Sequence, residues 1–264
     1  MKTLGFIGCG HMGFAIAKGI KDVSIIEANN INIFDPSQNI QDKCKNEGFI
    51  IKNDLKQLCE SSNIIFLAVT PQIVDDVLKQ IKDYKIDTLV SVVTGASISY
   101  MKQYLNDTHI IRTMPNTPLQ ISCGATAIAA CENTSEEELR FVKEMFEVLG
   151  IVAEVKEEQL DLFVGVHGST PAYFYYFLEC LLNDLINRGI DKDIARDFLV
   201  QTLIGSGKML ENDKNKSVSD FVDAVCSKGG TTIQAITYFK ENNLQNLVSE
   251  ANERCINRAK ELSR

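Results

Sequence analysis

A glycine-rich turn near the start of the chain constrains the fold more than any other feature. Residues 4–7 are apolar and lead directly into Gly8, Gly10 and Gly13, spaced as Gly-x-Gly-x-x-Gly, and a helical pattern follows. In this setting the first glycine makes a tight turn, the second lets backbone approach a pyrophosphate, and the third lets helix and strand pack closely. Free N–H groups at the helix start favour phosphate. The turn therefore predicts a dinucleotide-binding βαβ unit, the alternative being an ordinary glycine-rich βα turn.

An acidic residue supports the first interpretation. Asp35 follows the next predicted strand, residues 31–34, and lies 22 residues after Gly13. An acid at about this distance commonly accepts hydrogen bonds from an adenosine ribose. Residues 36–39 contain no arginine that would bind the 2′-phosphate of NADPH. Ser37 and Gln38 would bind that phosphate only if the loop reoriented Asp35. We therefore expect NAD(P)H as the cofactor, with NADH preferred over NADPH.

Composition narrows the class of protein. The 264 residues are 45% hydrophobic and carry a net charge of −8, and no basic run appears. Nucleic acid and anionic membranes are thus not expected as partners. Eight scattered cysteines without a Cys-x-x-Cys pair, and three histidines, predict no metal site. With no signal peptide or transmembrane run in the sequence, we expect reduced thiols in a cytoplasmic protein.

The first 157 residues alternate between strand and helix patterns. Runs such as residues 64–69 and 89–93 are apolar on both faces, as expected for parallel strands covered by helices on both faces. This alternation predicts a Rossmann-type, doubly wound, mostly parallel sheet, with ligands at the carboxyl ends of the strands. Predicted strands cover residues 3–8, 31–34, 64–69, 88–93, 109–114 and 125–130, and residues 151–155 are a candidate edge strand.

Residues 158–264 form a second predicted domain, which is entirely helical. Thr170 and Pro171 suggest a helix start with threonine at the N-cap, and no proline follows. Further helices are predicted over residues 192–210, 218–225, 232–239 and 244–262. Residues 172–182 are apolar on nearly every helix face. Because such a helix needs cover on all sides, a homodimer through this domain is expected, with a larger assembly of dimers as an open alternative.

Four further segments are candidate site residues. Three follow predicted strands and are expected to lie along the cofactor: Ala68-Val69-Thr70-Pro71, residues 93–97 with Thr94 and Gly95, and residues 112–118 with Asn116. The fourth, Gly229-Gly230-Thr231-Thr232, has two glycines before a helix start, a nest of N–H groups suited to a carboxylate. The alternatives are plain βα turns, a helix cap at Ser97 and an inter-helix linker. The turn itself adds Gly8, Cys9, Gly10, His11, Met12 and Gly13 as predicted cofactor contacts.

Several motifs in this order are similar to those of one enzyme family. These motifs are residues 8–13, Arg112-Thr113-Met114-Pro115-Asn116-Thr117-Pro118, Gly168-Ser169-Thr170-Pro171-Ala172-Tyr173, Gly205-Ser206-Gly207-Lys208-Met209 and Ser227-Lys228-Gly229-Gly230-Thr231-Thr232-Ile233. Together they give the chain a resemblance, over its whole length, to the pyrroline-5-carboxylate reductases. It implies a Rossmann domain followed by a helical dimerisation domain, with an active site formed where the nicotinamide of one subunit meets the helical domain of its partner.

The resemblance also implies roles for individual residues. The Gly229–Thr232 loop would bind the substrate carboxylate, and Thr232 would contact the ring nitrogen of a cyclic imine or its proton-relay water. Ser169 is a second expected proton handler and Asn116 a further substrate contact. His167, Lys228 and Thr70 depart from the family's usual Ser, Pro and Lys, and we interpret His167 as a packing residue rather than an acid–base group. The alternatives are a reductase of another cyclic imine, a hydroxyacid dehydrogenase, and a nucleotide-binding module without catalysis.

Overall fold

A computed structural model describes residues 2–262, which divide into two compact units. The described residues of the first unit are 2–171 and 255–262. The second unit is Ala172–Arg254. The chain therefore passes from the first unit to the second and back again.

A single eight-stranded sheet organises the first unit. Its strands lie in the order β3-β2-β1-β4-β5-β6-β7-β8. All neighbours are parallel except β6 and β7. The first six positions have the usual order of dinucleotide-binding sheets, whose crevice lies where the order reverses. The strands are β1 Leu4–Ile7, β2 Ile31–Phe34, β3 Ile50–Ile51, β4 Ile64–Leu67, β5 Thr88–Ser91, β6 His109–Pro115, β7 Gly124–Ala130 and β8 Gly150–Glu154.

Continuous apolar runs form the central strands because both faces of the sheet are buried. Within β4, Phe66 joins the hydrophobic core on one face, and Ile65 and Leu67 join the core on the other. Phe6 of β1 stacks on Phe66, with ring centroids 4.5 Å apart. Successive side chains of a strand point to opposite faces, so an uninterrupted apolar sequence fills two cores. The predicted doubly wound, mostly parallel sheet is confirmed.

Seven α-helices lie between or after the strands of this sheet within residues 2–163. Two of them begin at serine caps: the Ser97 hydroxyl accepts the Tyr100 N–H, and the Ser135 hydroxyl accepts the Glu138 N–H in a capping box. Such caps satisfy N–H groups that lack a partner within the helix. The helices are α1 His11–Asp22, α2 Gln38–Asn46, α3 Leu55–Glu60, α4 Val74–Ile81, α5 Ile98–Lys102, α6 Glu136–Glu147 and α7 Glu157–Phe163.

A π-helical turn, Val164–Gly168, joins α7 to α8, Thr170–Asn187. The predicted N-cap at Thr170 is wrong. The Thr170 hydroxyl instead donates backwards to the carbonyl oxygens of Gly165 and Val166, at 3.0 and 2.8 Å. A threonine inside a continuing helix commonly bonds to the preceding turn in this way. Pro171 is tolerated because the helical path widens just before it.

The regular secondary structure of the second unit, residues 172–254, is entirely α-helical. It contains most of α8, then α9 Lys192–Asn212, α10 Val218–Val225, α11 Thr231–Glu241 and the greater part of α12 Leu244–Leu262. Large apolar side chains remain accessible along it; Tyr176 is 68% exposed and Phe198 is 73% exposed. Across residues 2–262, no helix combines the length and the apolar character needed to cross a membrane.

Candidate active site

The glycine-rich turn lies between the carboxyl ends of β1 and β4. Gly8 has a φ of +82°, and a Cβ there would lie 2.8 Å from the Ala68 carbonyl oxygen. A Cβ on Gly13 would lie 2.6 Å from the Gly8 carbonyl oxygen, whereas one on Gly10 would have no neighbour within 4 Å. Gly8 and Gly13 therefore serve close packing. The space beside Gly10 is open, as a ligand approaching the backbone requires.

Asp35 holds this turn in place. Its Oδ2 accepts the Cys9 N–H at 2.8 Å, and its Oδ1 accepts the Ser37 N–H at 2.9 Å. The carboxylate is only 9% exposed and therefore has a fixed position at the end of β2. The buried Cys9 sulfur lies 3.5 Å from that of Cys44 on α2. This contact and burial raise the pKa of the Cys9 thiol.

The loops after β4 and β5 lie beside the turn and beside each other. The Ala68 N–H donates to the Ile7 carbonyl at 2.9 Å, and the Val69 side chain is a neighbour of Gly8. Pro71 opens a short 3₁₀ helix whose N-cap is Thr70. Pro71, Thr94 and Gly95 all line one small cavity. His11 and Met12 begin α1 at the same edge. The structure thus brings the predicted cofactor residues to one edge of the sheet.

Asn116, directly after β6, is held by the protein itself. It is 8% exposed. Its Oδ1 accepts the Ala125 N–H at 2.9 Å, and its Nδ2 donates to the His167 carbonyl at 3.3 Å. His167 Nε2 lies 2.7 Å from the Met114 carbonyl oxygen, and since a carbonyl only accepts, Nε2 carries the proton. The side chain of His167 is therefore engaged in holding β6 to the π-helical turn.

Ser169 lies immediately after that turn. Its N–H donates to the Val164 carbonyl at 2.8 Å, and its hydroxyl lies 3.1 Å from the Cys255 sulfur. Ser169 is half-buried. The hydroxyl that was predicted to handle protons thus has the Cys255 thiol of α12 as a neighbour, a contact that no sequence pattern indicates.

The residues predicted to bind a carboxylate lie in the second unit. Gly229 has a φ of +75°, and Gly230 is the N-cap of α11 with no side-chain cap hydrogen bond. The first-turn N–H groups of α11 therefore lack a side-chain acceptor at the cap, as an anion-binding helix start requires. Thr232 is half-buried and lines an apolar cavity of about 350 Å³ with Met209, Phe221 and Ile236. Lys228 is exposed.

Sequence reasoning missed an ion-pair network around the buried Arg112 of β6. Arg112 is 5% exposed, and its guanidinium lies 2.9 Å from Glu157 and 3.4 Å from Asp161 of α7. Glu157 also accepts the Ile98 N–H at the start of α5. A signal was available, because acids four residues apart share one helix face. This network fixes α7, and hence the π-helical turn that follows it, against β6, the strand that leads into Asn116.

The residues at this edge fit a dinucleotide cofactor. The open space at Gly10 is a cradle that a Cβ would fill, and the start of α1 supplies N–H groups for phosphate. Cys9, Asp35 and Ser37 are already fixed in one hydrogen-bonded set. The donor set is therefore that of a pyrophosphate and ribose site.

Comparison with known proteins agrees with this geometry. A family profile described as pyrroline-5-carboxylate reductase dimerisation matches residues 157–262, and one described as NADP oxidoreductase, coenzyme F420-dependent, matches residues 3–95. Pyrroline-5-carboxylate reductase 3 of Danio rerio is 33% identical over 98% of this chain and 91% of its own length. The Escherichia coli pyrroline-5-carboxylate reductase is 31% identical over 100% of this chain and 99% of its own.

Solved structures extend the similarity to the whole fold. The pyrroline carboxylate reductase of Plasmodium falciparum, solved with NADP bound, superimposes with a TM-score of 0.92 at 28% identity, covering 100% of this chain and 98% of the other. The Streptococcus pyogenes 1-pyrroline-5-carboxylate reductase gives a TM-score of 0.91 at 29% identity, covering 98% of both chains. Sequence and fold agree along the full length, and the chain belongs to the pyrroline-5-carboxylate reductase family.

Proposed function

We propose that this protein reduces 1-pyrroline-5-carboxylate to L-proline with a reduced nicotinamide dinucleotide. The observation that carries the proposal is the full-length similarity to proteins named pyrroline-5-carboxylate reductase. It is supported by an open glycine-rich turn at the switch point of the sheet and a glycine–threonine helix start in the second unit. We propose that the dinucleotide-binding domain comprises residues 1–157 and that the dimerisation and substrate domain comprises residues 158–264.

The first unit would hold and orient the cofactor. Gly8–Gly13 and the start of α1 would bind the pyrophosphate, and Asp35 and Ser37 would bind the adenosine ribose. The loops containing Ala68–Pro71, Thr94–Gly95 and Asn116 would line the nicotinamide. When bound, the reduced nicotinamide supplies the hydride. The protein's own contribution is then to bind and orient both reactants, so no metal or nucleophile is needed.

The second unit would hold the substrate. The Gly229–Gly230–Thr231 segment would bind its carboxylate through the N–H groups of Gly229 and Thr231, with the helix dipole of α11 favouring the negative charge. The Gly230 N–H donates to the Ser227 carbonyl at 3.0 Å and so holds the turn in shape. The Thr232 hydroxyl would hydrogen-bond the ring nitrogen or the water that protonates it. Ser169 is proposed as a second proton handler. A protonated ring nitrogen makes the neighbouring carbon a better hydride acceptor.

We further propose that NADH binds better than NADPH. The Asp35 carboxylate is fixed by two backbone N–H groups and would repel a 2′-phosphate at the ribose position. The nearest lysine along α2, Lys43, has its ammonium over the Phe14 ring, 3.5 Å from the centroid. The Plasmodium falciparum relative was solved with NADP bound, so the titration is made with both cofactors.

Fluorescence titrations of the protein with NADH and NADPH test this preference. NADH is expected to have the lower dissociation constant, and Asp35→Asn, which removes the charge but keeps an acceptor, is expected to narrow the difference. Asp42→Asn, which removes an exposed charge from α2, is the matched control. Tighter binding of NADPH by the unaltered protein would contradict the proposal.

The apolar surface of the second unit supports a homodimer. Phe174, Tyr175 and Phe177 of α8 are each about half exposed or more, a larger apolar surface than a soluble monomer usually leaves in water. We propose that the same helices of a second subunit cover it around a two-fold axis. The substrate site would then combine the cofactor turn of one subunit with residues 229–232 of the other.

A spectrophotometric assay tests the activity itself. With 1-pyrroline-5-carboxylate, the absorbance of reduced cofactor is expected to fall, and proline is expected to accumulate in equal amount. A reductase of a different cyclic imine would turn over that imine and not this one. A nucleotide-binding module without catalysis would bind NADH but leave both substrates unchanged, and either result would refute the proposed activity.

A further inference from the structure

The π-helical turn is tied to the end of β6 by two reciprocal hydrogen bonds. His167 Nε2–H donates to the Met114 carbonyl at 2.7 Å. Two residues further along the chain, Asn116 Nδ2 donates back to the His167 carbonyl at 3.3 Å. The His167 ring also packs edge-on against Phe163, with ring centroids 5.6 Å apart. One residue thus supplies both a donor and an acceptor to the same strand end, an arrangement that we call the His167 clamp.

We propose that His167 is a positioning residue that acts through Asn116. This inference rests on the proposed function, in which Asn116 contacts the cofactor and substrate. The Asn116 amide is planar, its Oδ1 is held by the Ala125 N–H, and one Nδ2 hydrogen is held by the His167 carbonyl. Fixing both groups fixes the plane of the amide, and therefore sets the direction of its second Nδ2 hydrogen. The His167 clamp orients that remaining donor at the edge of the sheet.

The clamp does not require His167 to change its protonation state. Nε2 carries a proton in the tautomer that the Met114 carbonyl requires, and it carries one in the imidazolium as well. The Nε2–H donor is therefore present in both forms of the ring. A positioning role consequently predicts a pH–rate profile of unchanged shape in His167 variants, whereas an acid–base role predicts the loss of one limb.

Steady-state kinetics and NADH titration of full-length variants test the proposal. His167→Ala is expected to lower kcat/KM on the order of tenfold and to weaken NADH binding. His167→Gln is expected to restore most of both, because its side-chain N–H reaches the position of Nε2. His167→Asn, which is too short to do so, should not. His109→Gln is the matched control, because His109 lies at the other end of β6 and pairs with Glu138.

A double-mutant cycle separates positioning from general packing. If His167 acts through Asn116, adding His167→Ala to Asn116→Ala should change kcat/KM by less than about twofold. Three results would each overturn the proposal. They are additive losses of kcat/KM in the double variant, loss of one limb of the pH–rate profile in a His167 variant, and equal kinetics and NADH affinity in the His167→Gln and His167→Asn variants. The Gln–Asn comparison remains decisive where the alanine variant folds poorly. If the unaltered protein binds NADH but does not reduce the imine, the proposed function fails, and the NADH titrations alone decide the role of His167.

Discussion

Two glycines of the same turn differ in what surrounds them. A Cβ at Gly13 would meet the Gly8 carbonyl oxygen at 2.6 Å, and a Cβ at Gly10 would meet nothing within 4 Å. Gly13→Ala is therefore expected to lower the melting temperature, because backbone must shift to admit it. Gly10→Ala is expected to keep the melting temperature but to weaken dinucleotide binding, because the added methyl enters the proposed pyrophosphate cradle. Thermal unfolding with and without NADH measures both effects, and equal melting temperatures with equal affinities would contradict this division of roles.

Thr232 offers a second single-residue test. Thr232→Val keeps the shape of the side chain and removes its hydroxyl. Turnover is expected to fall while NADH binding is retained, with a loss of ~2–4 kcal/mol in transition-state stabilisation if the hydroxyl acts like an oxyanion donor. Thr237→Val, on the exposed side of the same helix, is the control. Unchanged catalytic efficiency in Thr232→Val would mean that residues 229–232 have only a structural role.

At the scale of elements, α6 is joined to β5 and β6 through Glu138. Its carboxylate accepts hydrogen bonds from Ser135, Thr88 and His109 at 2.7–2.8 Å. Burial alone raises the pKa of Glu138, but the hydrogen bonds from Ser135, His109 and Thr88 outweigh it and lower the pKa from its ordinary value near 4.5 to about 2. The ionised carboxylate is therefore the form that the fold stabilises.

This lowered pKa predicts an acid dependence of stability. A group whose pKa is lower in the folded than in the unfolded state stabilises the fold above its unfolded pKa and ceases to do so as the pH falls through the folded value. The difference in unfolding free energy between the unaltered protein and Glu138→Gln should thus be largest above about pH 5 and shrink towards pH 2. Urea unfolding across this range measures it, with Glu137→Gln on the exposed side of α6 as the control. A difference independent of pH would refute the assignment.

Sequence patterns predicted the elements whose signals are local. Residues 64–67 form a strand because an uninterrupted apolar run fills both faces of the sheet, and Ser97 caps α5 as its position before a helical pattern indicates. The two-residue strand β3 was missed because it is too short to show a period. Thr170 was interpreted wrongly because a Thr-Pro pair looks the same at a helix start and inside a helix that widens before the proline.

The residues of the candidate site also differ in whether their signal in the sequence is local. Gly8, Gly10, Gly13 and Asp35 carry their signal in spacing alone, and the structure brings them together. The contacts of His167 with Met114 and of Ser169 with Cys255 span 53 and 86 residues. Pairings at such separations depend on how the chain closes in three dimensions, and one sequence carries no pattern that specifies them.

At the scale of the whole molecule, dimerisation is the property to test. An interface formed by the apolar helices of the second unit is expected to exceed ~2,000 Å², in the range of permanent complexes. Mixing a Gly10→Ala variant with a Thr232→Val variant should restore part of the activity after subunit exchange, because one mixed site would then have both parts intact. Each variant incubated alone is the control. An active monomer in sedimentation at micromolar concentration would refute the shared site.

The return of the chain to its first unit affects how the protein responds to proteolysis. Residues 255–262 belong to the same unit as residues 2–171, and Ala259 is buried there. The helical unit is therefore an insertion between two parts of the sheet unit rather than a tail. One cleavage between α9 and α10 leaves two fragments that both contribute to the sheet unit, so they should stay together until it unfolds. A chain ended after residue 171 would lack the segment that completes that unit.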